Sequence, residues 1–374
     1  MTDSLVHIEK CEGYAEERVR ASIRRGLGAM GGLGELIRPG WRVLIKPNLL
    51  SARAPERAVT THPSVVGIVA EEVMRCGAVP VVGDSPGGAL KGVARVWRNT
   101  GMEEACGKRG VSLQGFEVSG SVPRNLDGRT YSISKPVLDA DFVINLPKLK
   151  THTLEVYTGA VKNMFGAVPG LAKAGLHKLH PKPHDFAEIL VDVFSLTTPG
   201  ISIMDGVLSM EGPGPSSGRP RSLGVLLFGR DAVAMDVVAC RIIGAAPLDV
   251  PTNKVAAVRG LGTSDPERIR LSGVDLEQVT VTDYEIPSNF LHRLVPKGLL
   301  GLLRRHIWVH PREDRDRCQM CNLCVESCPT QAIGSAGNEL SFDYARCTTC
   351  LCCHEVCPHE AIVFDMSWLA RRIH

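Results

Sequence analysis

Over the first 285 positions, apolar residues recur in two rhythms that alternate along the chain. Short apolar runs at Val6–Cys11, Arg42–Ile45, Val79–Gly83, Asp141–Leu146, Ile201–Asp205 and Leu223–Phe228 read as buried strands. Between them, Ala15–Met30, Pro63–Cys76, Phe186–Leu196 and Ala232–Ile243 space their apolar residues near 3.6, as helices do, and Gly77 ends the second. Strands alternating with helices predict an α/β domain with a mostly parallel sheet over residues 1–285. The pattern then breaks. Residues 286–311 mix Leu, Ile and Trp with Arg, Lys and His, and Pro296, Gly298 and Gly301 interrupt any long amphipathic helix. This segment is expected to connect two domains, with a membrane-surface helix as the alternative reading. Residues 366–374 read as a short closing helix.

Cysteine placement changes the picture. Of 13 cysteines, 9 fall between Cys318 and Cys357. The sequence there repeats at an offset of 29: CQMCNLCVESCPTQAI at 318–333 and CTTCLCCHEVCPHEAI at 347–362. Each run is Cys-x2-Cys-x2-Cys-x3-Cys-Pro. A cubane cluster needs four thiolates, three from a tight loop and the fourth from elsewhere, which in two-cluster ferredoxins is the other run. Residues 312–365 are therefore expected to be a small α+β ferredoxin-like domain binding two [4Fe–4S] clusters. One would be held by Cys318, Cys321, Cys324 and Cys357, the other by Cys347, Cys350, Cys353 and Cys328. Cys352, with Leu323 at the matching place in the first run, is expected to be a non-ligand. A zinc site calls for four ligands, not eight in two matched runs. With a cysteine for every iron, such clusters act as a wire, so chemistry is expected in the α/β domain or in a partner.

Candidate chemistry lies where strands end, as it does in parallel sheets. Lys46-Pro47-Asn48, Gly83-Asp84-Ser85-Pro86-Gly87-Gly88, Pro147-Lys148-Leu149-Lys150-Thr151-His152 and Asp205-Gly206 follow four strands, and four polar loops point to one crevice. Residues 145–184 are rich in Lys and His, and a helix over Thr158–Phe165 would carry Lys162 with Asn163 beside it. Lys46, Asp84, Lys148, Lys150, His152 and Lys162 are the candidates for substrate contact or proton transfer, against the alternative of ordinary surface lysines. Asp205 and Glu211 are further acids. His177, His180 and His184 allow a metal site, with a solvated or anion-facing loop as the alternative. Residues 211–220 are too rich in Gly and Pro for regular structure and read as a loop over the site. The glycines of GLGAMG (26–31) end a helix and do not follow a strand, and no Walker loop is present, so no nucleotide site is expected.

Net charge is +3, divided as +6 over residues 1–310 and −3 over 311–374. No Lys/Arg block argues for nucleic acid. Without a leader or a spanning apolar segment, a cytoplasmic protein is expected.

VLIKPNL, THP, GDSPGG, NLPKLKTH, KNMFG-x-VPG, the Asp-Gly stretch before GPGP, and DAVAMD together resemble the family known as domain of unknown function 362, over about residues 40–245. The resemblance implies fusion to a two-cluster ferredoxin and an iron–sulfur protein, usually taken as an oxidoreductase. The expected partners are a redox protein and a small anionic substrate. The alternatives are a carrier or maturation factor that docks another protein, and a non-redox enzyme with structural clusters.

Overall fold

The computed structural model describes residues 3–87, 92–180, 182–287 and 308–368. Most of the 286–311 connector, residues 369–374 of the expected closing helix and Gly88 lie outside the described residues; Met366, expected to open that helix, instead ends a strand. The strands are β1 (Ser4–Lys10), β2 (Arg42–Pro47), β3 (Val79–Asp84), β4 (Ser112–Gly115), β5 (Ser121–Leu126), β6 (Arg129–Ser134), β7 (Phe142–Leu146), β8 (Lys148–His152), β9 (Val156–Thr158), β10 (Ile201–Glu211), β11 (Arg219–Gly229), β12 (Ile269–Gly273), β13 (Val309–Glu313), β14 (Ile333–Ala336), β15 (Glu339–Phe342) and β16 (Ile362–Met366).

Among the described residues, ten strands form one sheet in the order β12-β1-β11-β10-β7-β2-β3-β4, with β8 beside β10 and β9 beside β8. Parallel pairing dominates, as the alternating pattern predicts. The exceptions are β1 with β11, β10 with β11, and β8 with β9. Side-chain alternation divides the interior in two. Val43, Ile45, Leu226 and Phe228 pack on one face with the helices Glu16–Ala29 and Pro63–Arg75. Leu44, Val225 and Leu227 pack on the other with the helices Pro183–Leu196 and Ala232–Ile242. A period of two with both faces covered gives the near-continuous apolar runs seen in the sequence. The glycines of 26–31 have a packing role at Gly26, where a Cβ would stand 2.2 Å from the Phe228 ring.

Local structure departs from expectation in the Lys/His-rich stretch. Residues Lys148–His152 are not a loop but strand β8, paired to the outer half of β10. The reason is that β10 runs on to Glu211 and leaves an edge for the chain to rejoin after Pro147. The helix expected over Thr158–Phe165 starts at Ala160 and continues past Asn163 as a 3-10 turn to Ala167.

The C-terminal module repeats in backbone as it does in sequence. β13 pairs with β16 and β14 with β15, both antiparallel. Three residue pairs at the offset of 29 share positive φ: Met320 and Thr349 (49° and 54°), Asn322 and Leu351 (62° and 63°), Gln331 and Glu360 (53° and 53°). Left-handed backbone at Leu, Met and Thr is unfavourable. Its recurrence between the cysteines marks a loop shape that is required twice.

Candidate functional site

The two carboxyl-terminal strand ends of β2 and β3 bring Lys46 and Asp84 together. Lys46 Nζ stands 2.8 Å from Asp84 Oδ1, with both side chains buried. Asp84 Oδ2 accepts from the Leu49 backbone N–H at 2.9 Å. Burial draws the Lys46 ammonium below its usual range, and the Asp84 charge opposes that shift. Gly166 packs directly on the pair: a Cβ there would lie 2.2 Å from Asp84 Oδ1 and 2.6 Å from Lys46 Nζ. That contact explains the glycine in KNMFG.

Beside the pair runs a chain of three amides. Asn145 Nδ2 donates to the Ala160 carbonyl at 3.0 Å and to Ser202 Oγ at 3.1 Å. Asn145 Oδ1 accepts from Asn163 Nδ2 at 2.7 Å. Asn163 Oδ1 accepts from Asn48 Nδ2 at 2.9 Å.

Above these groups is a cavity of about 130 Å³ walled by both domains. Asn48, Asp84, Ser85, Lys162 and His177 line it from the α/β side, and Ser327, Cys352, Glu355 and Val356 from the C-terminal module. Lys162 has no hydrogen bond or ion pair among the described residues. Lys173, also at the cavity, donates to Ser85 Oγ at 2.7 Å, and burial lowers its ammonium to about 8. His177 stacks on Phe186 with centroids 3.9 Å apart, and burial lowers it to about 3, so the ring is neutral. His177 is buried while His184 is exposed, so the three spaced histidines do not converge.

The other candidates are buried away from this lining. Lys148 Nζ stands 2.7 Å from Asp205 Oδ2 and 2.9 Å from Tyr14 Oη, with both members of the ion pair fully buried. Asp205 also accepts from Tyr14 Oη (2.8 Å) and from the His62 backbone N–H (2.9 Å). This network is closed, and Asp205 serves it instead of facing a crevice. Lys150 Nζ donates to the Val59 carbonyl at 2.7 Å, and burial, with the Lys162 charge assisting, lowers it to about 7. Glu211 is buried at the end of β10, with Arg219 3.5 Å away. The single crevice expected from four strand ends therefore gathers Asp84 and Lys162, with Lys46 directly behind Asp84. Lys148 and Lys150 support it from within.

His152 reaches across the domain boundary. Its Nδ1 accepts from the backbone N–H groups of Leu154 (3.1 Å) and Glu155 (3.2 Å), which places the ring proton on Nε2. Nε2 stands 3.2 Å from Glu355 Oε1. Burial alone would raise the Glu355 carboxyl; His152 and the Lys162 charge bring it down to about 2. Further contacts dock the module: Arg53 to the Cys357 carbonyl (2.8 Å) and to Glu360 (3.2 Å), Arg57 to Glu360 (2.5 Å), and Ser216 to the His354 carbonyl (3.4 Å). Ser216 lies in the Gly/Pro-rich loop after β10, so that loop bridges the domains.

Glu155, Asn48, Lys173, Glu355 and Cys352 were not singled out as site residues from sequence. Glu355 occupies the place of Glu326 in the first repeat, yet Glu326 is exposed. Only docking against the α/β domain separates the two.

The cysteines surround two further cavities. Cys318, Cys321, Cys324 and Cys357 line one, and Cys328, Cys347, Cys350 and Cys353 line the other. The backbone N–H groups of Ala332 and Ala361 each donate to a thiol, Cys328 Sγ and Cys357 Sγ, at 3.2 Å. Among the described residues no three Cys, His, Asp or Glu side chains gather as ligands of one ion. A cubane spreads its thiolates over four irons, so two four-cysteine cavities fit it where a single-ion site would not. No described helix is long and apolar enough to cross a membrane.

Residues 43–241 match the family described as "Domain of unknown function (DUF362)", and residues 310–358 match the "4Fe-4S dicluster domain". The "Thylakoid-associated protein sll1697" of Synechocystis sp. is 36% identical over 304 residues, spanning 77% of this chain and 94% of that protein. The lactate racemase apoprotein from Thermoanaerobacterium thermosaccharolyticum superposes with a TM-score of 0.41 at 11% identity, over 62% of this chain and 55% of that one. That likeness is too loose to carry an argument. An α/β domain bearing the family's motifs and joined to a module for two [4Fe–4S] clusters makes this chain a member of the domain of unknown function 362 family.

Proposed function

We propose that the protein is an oxidoreductase that acts on a small anionic substrate in the interdomain cavity and exchanges electrons with a redox partner protein. The observation that carries this reading is the shared wall. Lys162 and Asp84 face the cavity from one domain, while Cys352 and Ser327, each beside a cysteine of the second cluster cavity, face it from the other. In this reading Cys318, Cys321, Cys324 and Cys357 hold one cluster, and Cys347, Cys350, Cys353 and Cys328 hold the other. When bound, [4Fe–4S] clusters supply one-electron transfer.

The chain's own residues have three tasks here. Lys162, the uncommitted cation, binds the anion. Asp84 is held in place by Lys46 and the Leu49 N–H. Lys173, lowered to about 8 and itself on the cavity wall, holds a proton close to working pH. His152 positions Glu355 and thereby sets the module against the cavity. A cavity lined by charged groups from both domains favours this reading over a docking-only carrier. We place the protein in the cytoplasm; cell fractionation checks that against the thylakoid association given in the name of the cyanobacterial relative.

The test is anaerobic cluster reconstitution followed by a metabolite screen that monitors cluster reduction potentials. A small anion should bind, shift the redox behaviour and lose affinity in Lys162→Ala. If no anion does so, the docking alternative takes its place.

A further inference from the structure

The amide chain beneath the cavity has only one orientation. An Asn side chain can be flipped in assignment, so its direction must come from its partners. Here the direction is set at the inner end, because the Ala160 carbonyl can only accept. Asn145 must therefore present Nδ2 to Ala160, which turns Oδ1 toward Asn163. Asn163 must then present Nδ2 to Asn145 and Oδ1 to Asn48. Asn48 in turn gives Nδ2 to Asn163. Its Oδ1 is left buried and without a partner, on a residue that lines the cavity.

An unpartnered buried acceptor is costly, and such groups in native proteins are ordinarily met by water or a ligand. Two further buried residues of the same lining have unpartnered hydroxyls, Thr158 and Ser327, at 3% and 7% exposure. A hydroxyl can donate or accept, so these two place no sign on the ligand. Asn48 Oδ1 and the Lys162 ammonium do: one can only accept, the other can only donate and carries charge. The two carboxylates of the lining also only accept, but each already faces a group of its own, Asp84 with Lys46 at 2.8 Å and Glu355 with His152 at 3.2 Å.

Resting on the reading of this cavity as a ligand site, we propose that its substrate is a small organic anion that also carries a hydrogen-bond donor. The anionic group meets Lys162 and a hydroxyl or N–H group meets Asn48 Oδ1. Hydroxycarboxylates and aminocarboxylates belong to this class; plain carboxylates and inorganic anions without a donor do not. A site built to bond a donor discriminates strongly against the analogue lacking it, because its own buried group is then stranded.

The test is calorimetric titration of the full-length, anaerobically reconstituted protein with matched probes of two to five carbons: 2-hydroxy acids, 2-amino acids, the unsubstituted acids and the 2-hydroxy amides. At least one donor-bearing acid should bind about tenfold or more tighter than its unsubstituted counterpart, and the amides should not bind. Asn48→Ala should remove the preference while keeping the acid; Lys162→Met should remove both. Cluster absorbance and thermal midpoints confirm that each variant is folded, and the probe comparison on the unaltered protein needs no variant. If substituted and plain acids bind equally and both are lost in Lys162→Met, the donor requirement is overturned and the anion site stands. If no acid binds, both fall.

Discussion

Replacing Lys148 tests whether the strand-end lysines bind substrate or hold the fold. Lys148 and Asp205 form a fully buried pair at 2.7 Å. Lys148→Met removes the cation and strands a carboxylate that keeps the Tyr14 hydroxyl and the His62 N–H. Breaking a buried pair from one side costs about 3–5 kcal/mol, because the remaining charge has no counterpart. For a domain of this size that is on the order of 10 °C in melting temperature. Lys148→Met with Asp205→Asn removes both charges and should recover at least half of the loss, since the amide oxygen can still accept. The assay is anaerobic urea unfolding followed by far-ultraviolet circular dichroism, with the titration above run on the folded variant. A stability loss under about 1 kcal/mol, coupled to loss of ligand affinity, would refute the structural role and return Lys148 to the binding site.

Two further outcomes follow from buried charge. Glu155 is fully buried with both oxygens unpartnered among the described residues, and burial raises its carboxyl from 4.5 to about 8. Between those values the folded chain holds a proton that the unfolded chain has released, so stability falls as pH rises from about 4.5 to about 8. Glu155→Gln should flatten this slope and be the more stable form above pH 8; unchanged slopes in unfolding at pH 5 and 8.5 would refute the assignment. Arg53 donates to the Cys357 carbonyl and is 3.2 Å from Glu360. Arg53→Gln should lower the potential of the cluster proposed for Cys318, Cys321, Cys324 and Cys357 by about 20–40 mV, from roughly 0.5–1 kcal/mol for a half-compensated charge. The other cluster should move less. Equal shifts in a redox titration followed by electron paramagnetic resonance would contradict that placement.

Much of this protein was legible in order along the chain. The six strands and four helices read from periodicity are present with boundaries moved by a few residues, apart from β10, which continued beyond Asp205; β4, β5, β6, β9 and β12 were not read from the sequence. That extension was hidden because Gly206 and the following Ser209 and Glu211 look like loop residues, although they are paired with β11 and buried. The extended edge then recruited Lys148–His152 as a strand. Lysines in a polar stretch look solvated, and nothing local to them reveals that Asp205, Val59 and Glu355 wait in distant segments.

The sequence by itself determined the two-domain division, the alternating α/β core and the repeated cysteine framework. Each is written in local period or spacing, which backbone geometry converts directly into shape. The tertiary structure alone decided which charges are spent and which are free. Lys46, Lys148 and Lys162 are alike in sequence, but two are neutralised by aspartates from other strands and one is not. It also broke the symmetry of the cysteine repeat, burying Glu355 against His152 while Glu326 stayed exposed. Charge pairing and burial depend on what meets across long chain separations, and that information exists only once the sheet and the module are assembled.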